Sequence, residues 1–147
     1  MSNRWLMLSL TQLHRALLRL TRGRVGSRLG SMPVIELITR GRRTGESRSA
    51  LLTVAVRDGD RLVIVASRGG DDAHPAWFLN LEADPRVQVG EPGRPARPMR
   101  ARIADVHERE RLWPLVVAAY RGYAGYQRRT DRVIPLVLLE PEPHDVS

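Results

Sequence analysis

Two stretches in the middle of the chain combine residue types that suit a flat, anionic ligand. Ala66-Ser67-Arg68-Gly69-Gly70 places a cation in a glycine-containing turn, where backbone N–H groups can approach a ligand closely. The segment that starts at His74-Pro75 then places Trp77 and Asn80 one helical turn apart. An indole offers a flat surface, and a carboxamide both donates and accepts hydrogen bonds. These residue types predict the lining of a site for a planar molecule with negative charge.

A polar loop upstream concentrates arginine. Arg40-Gly41-Arg42-Arg43-Thr44-Gly45 is followed closely by Arg48, and the loop separates two stretches that have the pattern of strands. Guanidinium groups bind phosphate and carboxylate groups through paired hydrogen bonds. The loop therefore predicts an anion site, although a solvated hairpin that binds nothing has the same composition.

All three tyrosines of the chain fall close together near its end. Tyr120, Tyr123 and Tyr126 recur at a spacing of three, which predicts one broad face of a helix. Each ring is apolar with a polar tip, which suits a pocket for a flat substrate, and a phenol can donate a proton. The alternative is a packing face or a dimer contact.

Composition narrows the chemistry. The net charge is +8, and all 24 cationic side chains are arginine, because the chain has no lysine. This excess predicts an anionic partner such as phosphate, a polycarboxylate, nucleic acid or acidic lipid. The absence of cysteine excludes disulfides and thiolate chemistry, and the four histidines lack the spacing of metal ligands, so no metal site is predicted.

The first part of the chain has the pattern of an amphipathic helix over residues 4 to 22. Leu6, Leu10, Leu13 and Leu17 recur at spacings of three and four. Such a helix packs on its own domain or on a second copy, or it lies on an anionic membrane, and the sequence leaves these alternatives open. The segment is too polar for a membrane span and has no secretory cleavage site. We therefore predict a cytoplasmic protein, with peripheral contact to the inner face of the cell membrane as one of the open alternatives for this helix.

Residues 23 to 31 are rich in glycine, serine and arginine, as is typical of a linker. We accordingly divide the chain into residues 1–32, the N-terminal helix and linker, and residues 33–147, the ligand-binding domain.

The pattern after residue 33 changes to that of short strands with turns between them. Strands are predicted at Val34–Thr39, Ala50–Arg57, Leu62–Ala66, Val87–Val89, Met99–Val106 and Val133–Leu139, and helices at 75–83 and 108–120. The regular strand–helix alternation of a parallel sheet is missing. The predicted fold is therefore α+β, mainly an antiparallel sheet that closes into a small barrel.

The motifs also occur in the order of a known family. The blocks are Thr39–Gly45, Val65–Gly70, His74–Pro85, Tyr120–Gln127 and Thr130–Pro135. Over about residues 33 to 141 the sequence resembles the deazaflavin-dependent nitroreductase family of actinobacteria. The resemblance implies a split β-barrel of the flavin-reductase type, with an N-terminal amphipathic helix and two or three further helices. It also implies coenzyme F420, an 8-hydroxy-5-deazaflavin with a phospholactyl-polyglutamate tail, as hydride donor to quinones or nitroaromatic compounds.

The resemblance also implies roles for individual residues. Those that would hold the phosphate and tail are Arg42, Arg43, Thr44 and Arg48. Those that would meet the phosphate or the ring edge are Ala66, Ser67, Arg68 and Gly69. Those that would line the deazaflavin are Ala76, Trp77, Phe78 and Asn80. The acceptor pocket would be formed by Tyr120, Tyr123 and Tyr126 beside Trp77, with Tyr123 or Tyr126 as a proton donor and water as the alternative.

Two further hypotheses compete with the reductase. A non-catalytic protein that carries the deazaflavin, FMN or heme would need the same arginine loop. A nucleic-acid-binding module is supported by charge alone, since basic residues do not alternate with exposed aromatic residues along one strand, so no nucleic-acid partner is predicted. The predicted oligomeric state is a monomer or a homodimer.

Overall fold

The computed structural model describes residues 28–29 and 32–142. Within these residues it contains eight strands and three helices. The strands are β1 (Arg28–Leu29), β2 (Met32–Arg40), β3 (Ser47–Thr53), β4 (Val56–Asp58), β5 (Arg61–Val65), β6 (Arg86–Gly90), β7 (Arg97–Ile103) and β8 (Leu136–Pro141). The helices are α1 (Ala76–Ala83), α2 (Val106–Ala119) and α3 (Gly122–Arg128), and a short 3₁₀ turn spans Arg68–Gly70.

The strands form one antiparallel sheet that curls on itself. Its order is β3–β2–β6–β7–β8–β5–β4, and β1 pairs with the start of β2. The two ends of this order, β3 and β4, are consecutive in the chain. In the two residues that connect β3 to β4, the N–H of Val54 donates to the carbonyl of Pro33 at 2.8 Å, and the N–H of Ala55 donates to the carbonyl of Val63 at 2.9 Å. These bonds bring β2 and β5 together. This arrangement confirms the predicted antiparallel sheet and split β-barrel.

Strands β5 and β8 each contain a run of four buried apolar residues, Leu62–Val65 and Leu136–Leu139, because both faces of these runs are covered. Leu62 and Ile64 face one core cluster and Val63 and Val65 face the other, as the alternation of side chains along a strand requires. In β8, residues alternate between the same two clusters. The first cluster fills the barrel, and the second lies beneath α2 and α3.

Helix α1 enters the barrel core, and helix α2 covers its outside. Phe78 and Leu81 of α1 lie in the barrel cluster, whereas Leu112 and Val116 of α2 lie in the outer cluster. A capping box starts α2: the Asp105 carboxylate accepts from the N–H of Glu108, and the Glu108 carboxylate accepts from the N–H of Asp105. The two helices thus fix the segments that precede and follow the candidate site.

The structure differs from the sequence prediction at several boundaries. The predicted strand Ala50–Arg57 is two strands, because its centre leaves β3 to bond with Pro33 and Val63. The predicted strand Met99–Val106 ends at Ile103, and Val106 already begins α2. Two residues of the predicted linker, 28 and 29, pair with β2 as β1.

The predicted amphipathic helix at 4–22 lies outside the described residues, and the boundary between the two predicted domains stays a prediction. No helix in the described part of the chain is long and apolar enough to cross a membrane.

Candidate functional site

The arginine loop, residues 40–48, runs from the end of β2 to the start of β3 and is closed by its own backbone. Gly41 N–H donates to the carbonyl of Glu46 at 2.7 Å, and Gly45 N–H donates to the carbonyl of Gly41 at 2.8 Å. Gly45 has a φ of +74°, a left-handed conformation that glycine adopts without strain. Thr44 Oγ1 accepts from Glu46 N–H at 3.2 Å and from Arg48 Nη2 at 3.4 Å. The loop therefore presents its guanidinium groups from a closed turn.

Asn80 of α1 anchors this loop from below. Its Oδ1 accepts from the N–H of Arg42 at 3.2 Å and from Arg42 Nη1 at 3.3 Å. Its Nδ2 donates to Thr39 Oγ1 at 3.1 Å, and both Asn80 and Thr39 are buried. The carboxamide is thus already bonded to the protein on both sides, and it fixes the start of the arginine loop.

A cleft of about 620 Å³, the arginine cleft, opens over the loop and α1. Its lining brings together the predicted residues Arg42, Arg43, Thr44, Arg48, Trp77 and Asn80. Ala76, at the first position of α1, also faces it. Sequence regions separated by some thirty residues therefore meet at one cationic surface, as the motifs predict.

A second cleft of about 630 Å³, the tyrosine cleft, lies on the other side of Trp77. One part of its lining is Ser67, Arg68 and Gly69, and another is the tyrosine cluster, Tyr120, Tyr123 and Tyr126. The structure also places Met32 and Thr53 there, which the sequence analysis did not predict. Among the described residues Trp77 alone lines both clefts.

The Ser67–Gly70 turn has a backbone geometry that favours negative charge. Ser67 is right-handed (φ −80°, ψ −36°), and Arg68 and Gly69 follow with φ values of 44° and 65°. In such a change of hand, consecutive N–H groups converge on an anion or an electron-rich oxygen. Within the described chain, the N–H groups of Ser67, Arg68 and Gly69 donate to no other group, so they are free to bind a ligand.

The three tyrosine rings form one cluster, although they do not share one helix. Tyr120 follows the end of α2 with extended backbone, and only Tyr123 and Tyr126 lie in α3. The ring centroids are nonetheless 5.1 Å apart for Tyr120 and Tyr123 and 6.1 Å for the other two pairs, all in edge-on contact. The predicted single helical face is therefore wrong, while the predicted aromatic cluster is present.

The phenol groups differ in environment. The Tyr123 side chain is buried, and its hydroxyl lies 3.1 Å from Thr53 Oγ1 and donates to the sulfur of Met32. Burial raises the pKa of Tyr123 above its usual value. The hydroxyl of Tyr126 lies 3.3 Å from that of Tyr120, and this hydrogen bond is the main cause that raises the pKa of Tyr126. Both groups stay protonated at neutral pH.

Two of the predicted contact residues do not reach either cleft. Phe78 is 3% exposed and Ala66 is 0% exposed, and both belong to the barrel core. The periodicity of α1 explains Phe78, because Trp77 and Asn80 face the clefts while Phe78 and Leu81 point into the barrel.

Arg132 lies near the site, although the sequence motifs predict no role for it. It lines neither cleft, yet its guanidinium bonds the backbone of the Ser67–Gly70 turn from behind. Its partners lie about sixty positions away in the chain, so no local pattern could indicate them.

Comparison with known proteins agrees with the motifs. The family model of the F420H(2)-dependent quinone reductases matches residues 10–141. An F420H(2)-dependent quinone reductase of Mycobacterium tuberculosis is 40% identical over an alignment of 147 positions, which covers 93% of this chain and 96% of the relative. A shorter putative F420H(2)-dependent quinone reductase of the same organism is 36% identical over 110 residues, covering 75% of this chain and 91% of the relative.

Solved structures agree as well. An F420-H2 dependent reductase, FDR-A, superposes with a TM-score of 0.65 at 38% identity, covering 74% of this chain and 94% of that one. A protein described as a domain-swapped dimer superposes with a TM-score of 0.67 at 34% identity, covering 90% of this chain and 99% of that one. The resemblance read from the motifs is confirmed, and the chain belongs to the F420H(2)-dependent quinone reductase family.

Proposed function

We propose that this F420-dependent oxidoreductase holds the anionic tail of its cofactor in the arginine cleft and reduces a quinone in the tyrosine cleft. The observation that carries the proposal is the position of Trp77, whose indole borders both clefts. A cationic cleft and an aromatic cleft that meet at one flat side chain match the two ends of a polyanionic, ring-bearing cofactor.

The residues of the arginine cleft fit the tail. Arg48 Nη1 is buried and makes no hydrogen bond with the described residues, although it lies 3.4 Å from Glu46 Oε2. A buried donor without a partner costs free energy, and an oxygen of a phosphate or carboxylate would satisfy it. Arg42, Arg43 and Thr44 supply further donors on the same surface.

When bound, reduced F420 supplies the hydride. The protein contributes orientation and charge: the arginine cleft fixes the tail, and the free N–H groups of Ser67, Arg68 and Gly69 meet an oxygen of the ring edge or the phosphate. Asn80 serves this site by holding Arg42 rather than by offering its own amide.

The tyrosine cleft suits a flat acceptor. Its aromatic rings can stack on a quinone or a nitroaromatic compound, and Leu51 and Leu52 add apolar lining. Reduction of a quinone consumes a hydride and a proton. Tyr126 is the better placed of the two predicted donors, because the Tyr123 hydroxyl is buried and bonded to Thr53.

Steady-state oxidation of reduced F420 with menadione tests the function. We expect turnover that depends on both reactants, and weaker binding of FMN than of F420 in a fluorescence titration. Tight F420 binding without turnover on any quinone or nitroaromatic compound would instead favour the non-catalytic carrier.

Two glycines of α3 provide a matched pair for the acceptor cleft. A Cβ on Gly122 would overlap the ring of Tyr120, whereas the nearest atom to a Cβ on Gly125 is Arg128 Nη2 at 3.8 Å. Gly122→Ala should therefore displace Tyr120 and raise the KM for menadione, with little change in the affinity for F420. Gly125→Ala should leave both constants at their wild-type values. Equal KM values in the two variants would remove Tyr120 from the acceptor site.

The cellular setting extends the same proposal. A quinone acceptor that resides in lipid would be reached by a cytoplasmic protein whose residues 4–22 contact the inner face of the membrane, and the leucine spacing of that segment supports this. Co-sedimentation with anionic and neutral vesicles, using the full chain and a chain that begins at residue 23, tests it. If neither chain binds either kind of vesicle, the proposed membrane contact is contradicted. The related domain-swapped dimer makes a homodimer the oligomer to test by light scattering.

A further inference from the structure

Arg132, in the segment between α3 and β8, bonds to the backbone on the far side of the Ser67–Gly70 turn. Its Nη1 donates to the carbonyl of Ala66 at 3.1 Å and its Nη2 to the carbonyl of Ser67 at 2.9 Å. Its Nε donates to the carbonyl of Asp71 at 2.8 Å, and Nη1 also lies 3.1 Å from His74 Nδ1. One rigid guanidinium thus engages both ends of the turn with all but one of its N–H groups.

The orientation of the bonded carbonyls also determines the orientation of N–H groups that line the tyrosine cleft. In a planar trans peptide the C=O and the N–H point in opposite directions. The carbonyl of Ala66 belongs to the same peptide as the N–H of Ser67, and the carbonyl of Ser67 belongs to the same peptide as the N–H of Arg68. Because Arg132 holds both carbonyls, it also fixes the direction of both N–H groups, away from itself.

We propose that Arg132 is a positioning residue that keeps the N–H groups of Ser67 and Arg68 directed at the bound cofactor. This proposal rests on the proposed function for the identity of the ligand. Arg132 itself lines neither cleft, so it acts through the turn and not by contact with a reactant.

Neighbouring contacts hold the same turn against the same segment. Arg129 Nη1 donates to the carbonyl of Gly69 at 3.4 Å, and Thr130 Oγ1 donates to Asp72 Oδ1 at 2.7 Å. Gly70 packs so closely on α3 that a Cβ there would lie 2.8 Å from the carbonyl oxygen of Tyr126. The turn is therefore tied to the helix that carries the tyrosine cluster, and Arg132 is the part of this attachment that reaches the peptides with free N–H groups.

The partners of Arg132 are those of a residue that positions backbone, and not those of a surface ion pair. No described carboxylate lies within salt-bridge distance of it, and its partners are carbonyl oxygens and an imidazole nitrogen. A cation behind the two carbonyls also polarises the peptides and strengthens their N–H groups as donors.

Nuclear magnetic resonance on the protein without ligand tests the positioning directly. Arg132→Met should increase the fast motion and hydrogen exchange of the amides of residues 67–70, while amides of the β5–β8 core keep their wild-type values. Arg132→Lys keeps the charge but cannot span two carbonyls, so it should show the same change in part. Wild-type amide dynamics in both variants would overturn the proposal, as would complete restoration by lysine.

Binding measurements supply the second readout. We expect Arg132→Met to weaken F420 binding by about tenfold, as the loss of well-aimed donors to a charged group implies, and to raise the KM for F420 more than the KM for menadione. Arg128→Met, which removes the same charge from the exposed end of α3, is the control and should bind as wild type. An equal loss in both variants would show a general charge effect and would refute positioning. If wild-type protein does not bind F420, the proposed function fails, and the dynamics of residues 67–70 still decide the role of Arg132.

Discussion

Asn80 connects the barrel to the arginine loop, and its replacement should separate stability from cofactor binding. It is 4% exposed and makes three hydrogen bonds, two to Arg42 and one to Thr39. Asn80→Ala removes all three. Arg42 is exposed and regains water, but the hydroxyl of Thr39, a 2% exposed residue, loses its donor. We expect a loss of about 2 kcal/mol in the free energy of unfolding, from this group and from the small cavity.

Asn80→Asp is the informative variant because it keeps the shape of the side chain. One carboxylate oxygen accepts from Arg42 as before, and the other accepts from the Thr39 hydroxyl, which rotates to donate. These hydrogen bonds and the charge of Arg42 offset part of the cost of burying a carboxylate, so Asn80→Asp should lose less stability than Asn80→Ala. The new negative charge lies beside the guanidinium of Arg42, which keeps it ionised, and opposes the anionic tail.

The size of that opposition follows from the charge. A unit charge about 6 Å from a bound anion, at an effective dielectric constant of about 40, changes the binding free energy by about 1.4 kcal/mol, or about tenfold in Kd. The effect should shrink in high salt because the loop is exposed and screened. Asn80→Asp should thus bind F420 about tenfold more weakly at low salt and approach wild type as salt rises.

Urea unfolding and fluorescence titration with F420 at low and high salt measure the two effects. Thr39→Val is the control, since it leaves Asn80 Nδ2 without its partner but keeps the contacts to Arg42. It should lose stability and keep its affinity. The reasoning is refuted if Asn80→Asp binds F420 as tightly as wild type at low salt, or if Asn80→Ala is as stable as wild type.

Three further outcomes are expected. Gly70→Ala should lower the free energy of unfolding in urea by more than about 2 kcal/mol, because φ at this position is +85° and the new Cβ would lie 2.8 Å from the Tyr126 carbonyl oxygen. Gly69→Ala should cost only about 1 kcal/mol, because φ is +65° and no atom lies within 4 Å of its Cβ. Equal losses in the two variants would contradict this. Tyr126→Phe should lower kcat while Tyr123→Phe keeps it. The hydrogen bond to Tyr120 raises the pKa of Tyr126, so the alkaline loss of wild-type kcat should have its midpoint above the ordinary tyrosine pKa, and a midpoint below that value would exclude this phenol. The hydrogen bond from Arg102 lowers the pKa of Glu108 from 4.5 to about 2, so the stability it provides is present above about pH 4.5 and is lost as pH falls toward 2. Glu108→Gln should therefore weaken the dependence of the free energy of unfolding on pH in this range, as measured by urea unfolding. An unchanged pH dependence would disprove the link.

The strands and the arginine loop could be predicted because their signals are local. The alternation of apolar and other side chains along Val34–Thr39 and the run of apolar residues at Leu62–Ala66 each indicate a strand that is buried on at least one face. The Asp58-Gly59 turn follows from the tolerance of glycine for a φ of +66°. The break between β3 and β4 could not be predicted, because Val54 and Ala55 leave the strand for partners elsewhere in the barrel.

The three tyrosine rings cluster although the local structure predicted for them is wrong. The spacing of three predicted one helix, yet the chain turns at Tyr120 and restarts as α3 at Gly122. The absence of a Cβ at Gly122 makes room for the Tyr120 ring to fold over α3. Glycine between two of the tyrosines was the available signal. Arg132 lies in the motif block Thr130–Pro135, but the block does not indicate its contacts, because most of its partners are carbonyl oxygens that any sequence provides.

The position of Trp77 determines how the two clefts can act together. Hydride transfer requires reacting atoms within about 3.5 Å, so the cofactor ring and the acceptor must meet where the clefts join. Trp77 lies at that junction, and its helix is fixed because Phe78 and Leu81 are buried in the barrel. The arginine side chains proposed to bind the tail lie on the far side of the indole from the tyrosines. Binding energy from the tail is therefore available to place the ring, and a cofactor shortened at its tail should lose kcat as well as affinity.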